Sequence, residues 1–289
     1  MGVALIMKNI LVYLFLIVSL SCNDEEFLIN DYRLFRNSPV ADVAEAIRNQ
    51  DMKVMSREII EHKTNLDFQE SKYGATLLML TVINEDFEAC KLLLEAGADP
   101  NLHDTFDGAS AILYAASIRN PATLEFLKLL LSFGANPSDI EFGQRRPSNS
   151  TRNTPLILAC QTINRSPIKA VDILVQAGAD IDYTNEYKVS ALRTALTFEH
   201  YDVVLYLLHK GAEFNRIMSR NDGRDWYLWD KLKLGLFPIG SKKHKEKMLI
   251  VDFLRQKGVD YDTVQVPPYA VKEAKRIYPS SWEDYLKKY

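Results

Sequence analysis

Five glycines, each ending a leucine-rich stretch, constrain this chain more than any other feature. They are Gly97, Gly134, Gly178, Gly211 and Gly258, and alanine follows the first four. The steps between them are 37, 44, 33 and 47 residues, which is a unit of about 33 residues carrying insertions. Residues 74–101 read GATLLMLTVINEDFEACKLLLEAGADPN, and residues 108–137, 153–182 and 190–215 repeat the pattern. Each copy has a short apolar helix, a polar break, a second helix rich in leucine, and the glycine. Runs such as Leu92-Leu93-Leu94 and Leu129-Leu130-Leu131 give each helix an apolar face too small to bury itself alone, so neighbouring units must stack. Glycine supplies the left-handed residue that ends a helix. Thr154-Pro155 places proline in a first helical turn, where its missing N–H costs nothing. A degenerate copy lies upstream, with helices expected over residues 40–49 and 52–62 and Lys63 where the glycine would stand.

The period, the Gly-Ala-Asp endings and the partial Thr-Pro-Leu-His starts (Thr154-Pro155-Leu156-Ile157, Thr76-Leu77-Leu78-Met79) resemble the ankyrin-repeat family over residues 40–261. The resemblance implies an all-α solenoid of five to six repeats, degenerate caps included, with stacked helix pairs and hairpin loops projecting to one side. The repeat domain is expected over residues 37–263, with a helical cap over 264–289. In that family, partner proteins lie against the hairpin tips and the inner helix faces. Carried over by position, the tips hold Lys72, Tyr73, Phe106, Asp107, Glu186 and Tyr187, and the inner helices hold Ser117, Ile118, Gln161 and Phe198. Tyr183, Arg145, Arg146 and Trp226 would extend the surface. Tyr, Trp and Arg are the usual anchors of interfaces. An aromatic residue at a tip has the alternative of packing between neighbouring hairpins. Two tips lack the usual glycine and carry Arg152 and Lys188 instead.

Residues 10–20 read ILVYLFLIVSL behind Lys8, an apolar run too short to span a bilayer but suited to a secretory signal. It ends Ser19-Leu20-Ser21-Cys22 and turns acidic at Asp24, Glu25 and Glu26. Small residues before a lone cysteine resemble the lipobox of bacterial lipoproteins, although the position three before the cysteine is Ser19 where leucine is commonest. The expectation is a signal over residues 1–21, acylated Cys22 as the mature first residue, and a tether over 22–36. The protein is then a lipid-anchored monomer of the bacterial cell envelope, at the outer membrane. An uncleaved anchor and a cleaved, free form are the alternatives, and either Met1 or Met7 is the start.

Insertions are expected at residues 139–152, as an exposed polar loop, and at 216–247, which holds Trp226, Tyr227 and Trp229. Helices follow over 246–257, 269–277 and 280–288. Lys242-Lys243-His244-Lys245-Glu246-Lys247 reads as a solvated basic loop, with attraction to anionic lipid as the alternative.

A net charge of -3 gives no footprint for nucleic acid. Three cysteines make neither a disulfide framework nor a zinc motif, and Cys90 and Cys160 read as small buried hydrophobes. None of the five histidines has a two-histidine zinc spacing, and there is no phosphate loop or nucleophile elbow. No catalytic residue, metal or cofactor is expected. A protein-binding module is therefore the leading expectation. An immunity-type inhibitor of a toxin, a structural envelope lipoprotein, and an enzyme with a site in residues 216–247 are the alternatives.

Overall fold

The computed structural model describes residues 27–62, 65–117, 122–143, 152–161, 167–221 and 223–287 of the 289-residue chain. Its helices begin where the sequence supplies a cap. Thr76, Thr154 and Ser190 each accept a hydrogen bond from the backbone N–H three residues on, at 3.2–3.3 Å. These caps satisfy donors that a helix start leaves open. Five second helices each end at one of the five glycines, with φ between +84° and +98°. The residue after each glycine sends its N–H back five positions to a leucine carbonyl: Ala98 to Leu93, Ala135 to Leu130, Ala179 to Leu174, Ala212 to Leu207, and Val259 to Leu254. The glycine and the residue after it are therefore a helix stop, and the five leucines they fix are all fully buried.

The helices pair as α1 (Ala41–Arg48) with α2 (Met52–His62), α3 (Leu77–Ile83) with α4 (Phe87–Glu95), α5 (Ala111–Ser117) with α6 (Thr123–Ser132), α7 (Pro155–Ala159) with α8 (Ile168–Gln176), and α9 (Ala191–Thr197) with α10 (Tyr201–His209). From α3 onward first helices stack on first helices, and from α2 onward second helices stack on second helices. One continuous core runs through the stack from Tyr32 to Tyr261. A short 3-10 helix, Tyr32–Phe35, packs on α1 and closes the N-terminal end.

A sixth unit follows. It comprises a hairpin of β1 (Ser219–Asn221) and β2 (Arg224–Trp226), then α11 (Leu228–Leu232), then α12 (Lys242–Gln256), which packs on α10. This corrects the reading of the basic run as a solvated loop. The run forms the first turns of α12, capped by Ser241, and turns His244 and Lys247 into the core. Residues 216–241 are thus a hairpin, a first helix and a linker rather than a foreign insertion, and residues 242–247 open α12. Beyond them α13 (Pro268–Ile277) and α14 (Trp282–Lys287) share a small cluster built on Ala274 and Tyr285. Among the described residues no helix is long and apolar enough to cross a membrane.

Candidate partner-binding surface

Between repeats the chain leaves the stack, turns and returns, forming a finger. A backbone hydrogen bond closes each finger at its base: Glu70 N–H to Ala75 O, Asp104 to Ala109, Glu141 to Asn153, Asn185 to Val189, and Met218 to Trp226, all at 2.7–3.1 Å. A side-chain acceptor sits inside four of them. Asp104 is 3% exposed and accepts the N–H groups of Phe106, Asp107, Gly108 and Ala109, together with the Tyr114 hydroxyl. Glu70 accepts three N–H groups of the first finger and Asn185 two of the fourth. Glu141 accepts the Asn153 N–H at 2.9 Å. Charged acceptors make the stronger of these bonds.

The fingers are tied to one another. Thr105 donates its N–H and its hydroxyl to the Tyr73 carbonyl. Phe142 and Gly143 donate their N–H groups to the Gly108 and Asp107 carbonyls. This crossing is tight: a Cβ built on Gly108, where φ is +65°, would lie 1.8 Å from the Gly143 nitrogen, so neither chain tolerates a side chain there. The Tyr183 hydroxyl reaches the Arg152 carbonyl at 3.0 Å, joining the fourth finger to the third. Arg152 (φ +47°) and Lys188 (φ +57°) adopt the left-handed backbone that Gly74 and Gly108 adopt in the first two fingers. The missing glycines therefore leave the hairpin geometry in place, with some strain.

The expected surface residues fall into three groups. Lys72 and Tyr73 are held in the frame, both bonded to the Phe27 carbonyl, and Phe106 packs edge-on against Tyr73 at 5.3 Å. Asp107, Gln161, Tyr183 and Phe198 are half-buried, with Phe198 stacked near His200. Ser117, Glu186 and Tyr187 are exposed, Tyr187 at 51%. Trp226 is half-buried on β2 with Arg224 and Lys231 over its ring. Cys22, Ile118, Arg145 and Arg146 lie outside the described residues. Sequence reasoning missed Phe142, which is 58% exposed at the start of the third finger. Its ring lies 4.0 Å from His103, which bonds Asp139 at 2.9 Å. Phe142 belongs to an insertion read as a polar loop, and nothing in its spacing marks it as a tip.

Electrostatics change along the surface. Burial pushes the Glu141 carboxyl up, and Asp107 and Asp104 nearby add to the shift. Burial likewise raises the Tyr114 hydroxyl, with Asp104 beside it. At the other end burial lowers Arg193 and Lys231, and Arg193 lowers Lys231 further. Among the described residues no group of three or more His, Cys, Asp and Glu side chains is placed to hold a metal ion.

The sequence model for ankyrin repeats matches in three copies, over residues 78–185 and 112–218, which are the stretches folded as the fingers and helix pairs described above. Residues 78–218 are built of ankyrin repeats. The crystal structure of the ankyrin repeat protein EF0377 superimposes with a TM-score of 0.51 at 24% identity, covering 75% of this chain and 98% of that one. An ankyrin repeat and KH domain-containing protein of Caenorhabditis briggsae is 28% identical over 161 residues, 49% of this chain and 6% of that protein. The chain thus spans a small part of that relative's length. Ankyrin repeats are generally protein–protein interaction modules. The matched stretch ends at residue 218, where the sixth unit departs from the pattern with its β-hairpin finger and buried lysine.

Proposed function

We propose that this ankyrin-repeat chain binds a partner protein on the side formed by its finger tips and first helices, and that it does so at a bacterial envelope, tethered by a lipid on Cys22. The observation that carries the binding reading is the pair of exposed rings on consecutive fingers, Phe142 at 58% and Tyr187 at 51%, each on a loop braced by hydrogen bonds. Rigid aromatic side chains presented in this way suit an interface hot spot, where truncation costs about 2 kcal/mol or more. Support for the tether comes from the sequence alone, in the apolar run and the Ser-Leu-Ser-Cys ending.

The test is a cross-linked pull-down from envelope extract with two full-length baits, one natural and one carrying Phe142→Glu and Tyr187→Glu. The expected result is a partner held by the first bait and lost by the second, with the helical circular dichroism of both unchanged. A partner held equally by both would overturn the assignment of the surface, and no partner at all would overturn the binding reading. For the tether, metabolic labelling with an alkyne fatty acid in a bacterial host should mark the natural chain and not the Cys22→Ser variant, which should leave the membrane fraction. Equal labelling or equal sedimentation of the two would rule out the lipid.

A further inference from the structure

Lys188 stands in the fourth finger where the first two fingers place glycine, with φ +57°. A side chain in that backbone region carries strain that glycine avoids. The backbone there is pinned on both sides. The Lys188 N–H donates to the Asn185 carbonyl at 2.9 Å, and its carbonyl accepts from the Arg193 guanidinium at 3.0 Å. In the same slot of the third finger, Arg152 serves the fold by donating its guanidinium to the Glu141 carbonyl at 3.2 Å. The Lys188 ammonium makes no hydrogen bond and no ion pair among the described residues. It lines instead a cavity of about 280 Å³ between the fourth finger and the chain that runs from α10 to β1. Ile181, Leu192, Ile217 and Met218 supply the apolar part of that lining. Its other charges are committed. Arg216 pairs with Glu213 and donates to the Asp182 carbonyl at 2.6 Å, and the Asp182 carboxylate accepts the Glu213 N–H at 2.8 Å. Outside the lining, Asp225 is held low chiefly by Arg220, paired with it at 2.6 Å, and only last by Lys188. A cavity of this size falls below the roughly 300–1,000 Å³ of small-molecule sites and suits a single apolar side chain. Lys188 sets one uncommitted positive charge beside it, and Tyr187, 51% exposed, precedes Lys188 on the same finger.

We propose that this cavity receives a leucine-sized apolar side chain of the partner protein, with an adjoining carboxylate of the partner resting on Lys188. The proposal rests on the protein-binding reading and adds the chemistry of the segment bound. Burial of the apolar side chain carries most of the affinity. The carboxylate adds less, because an ion pair at an exposed lysine is screened by water, and it selects among apolar segments.

The test titrates the full chain with the capped dipeptide acetyl-Leu-Glu-amide and follows its isoleucine, leucine and methionine methyl groups by NMR. Acetyl-Leu-Gln-amide and acetyl-Ala-Glu-amide are the controls. The Leu-Glu probe should shift the methyls of Ile181, Leu192, Ile217 and Met218 saturably, and bind about threefold tighter than the Leu-Gln probe. The Ala-Glu probe should shift none of them. Lys188→Gly is the deciding variant, because glycine suits the backbone at this position. It should unfold at the same or a higher temperature, and bind the Leu-Glu and Leu-Gln probes alike. Lys210→Gln, on an exposed cation beyond α10, should leave the preference for Leu-Glu unchanged. Absence of shifts at the four methyls, equal binding of the Ala-Glu probe, or a preference that survives Lys188→Gly or is lost in Lys210→Gln would each overturn the site. A partner captured equally by natural and Ile217→Asp baits in the pull-down above would remove this pocket alone. Binding of the probe with no partner captured would remove the protein-binding reading instead.

Discussion

Replacing Lys247 by Met should raise the stability of the folded chain by about 3–5 kcal/mol at pH 7 and flatten its dependence on pH. Lys247 is 0% exposed, on the inner face of α12, with its ammonium 3.4 Å from the Gly235 carbonyl. Burial is the larger reason, and Lys233 the second, that its pKa falls from 10.5 to about 6. Lys233 is itself 4% exposed and lies over the Tyr261 ring at 4.0 Å. The other titratable groups packed around the pair are His244, lowered by burial and then by Lys247, and Tyr261, raised by burial, with Asp262 and Arg255 acting on Lys233 from the far side. Between pH 6 and 10.5 the unfolded chain holds a proton on Lys247 that the folded chain has released. The unfolded state therefore binds more protons throughout that window, and stability rises as pH rises through it. Below pH 6 both states hold the proton and the slope from this group vanishes. Methionine fills similar volume and removes both the charge and the slope. Urea unfolding of both chains at several pH values between 6 and 10 measures the effect. A variant that is less stable, or as steep in pH, would show that Lys247 is satisfied as an ammonium.

The second large effect is expected at Asp104. Asp104→Ala should cost about 3 kcal/mol or more, because four backbone N–H groups and one phenol lose a charged acceptor inside the second finger. Asp104→Asn should fall between the two, since its single carbonyl oxygen replaces only one of two acceptor atoms. Hydrogen exchange should show faster exchange at residues 106–109, with Leu93 and Leu130, deep in the second helices, unchanged. Uniform acceleration across the stack would mean instead that the finger and the helix pairs unfold as one unit. Because Phe142 and Gly143 lean on the Gly108 and Asp107 carbonyls, the third finger should loosen with the second.

The stack was legible in the sequence because each of its parts demands a particular residue. A left-handed helix stop selects glycine, and the N–H that returns to the leucine five positions earlier fixes the spacing between core and stop. The sixth unit was hidden for an equally physical reason. On α12 the inward positions are His244, Lys247, Ile250, Val251 and Leu254, so two polar residues interrupt the apolar period at its start. The surface was only partly legible. Tyr73, Phe106 and Tyr187 are all aromatic residues at tips, and the first two pair across neighbouring fingers while the third stands 51% exposed. That pairing depends on contacts 33 residues apart, which local sequence does not encode.

The closure of the third finger has a consequence for how such a chain changes over time. Glu141 and Asn153 meet at its base through two hydrogen bonds, and Gly143 is pinned against Gly108 just above them. Gly143 and Arg152 therefore stand at a fixed gate, whatever length of sequence lies between them. Doubling the length of such a loop costs only about 0.6 kcal/mol in closure entropy, far less than the loss of one buried leucine. Loop length at this gate is nearly free to drift, and with it the reach and chemistry offered to a partner, while the leucine ladder behind it stays unchanged. The same gate is the natural place to graft a foreign recognition loop.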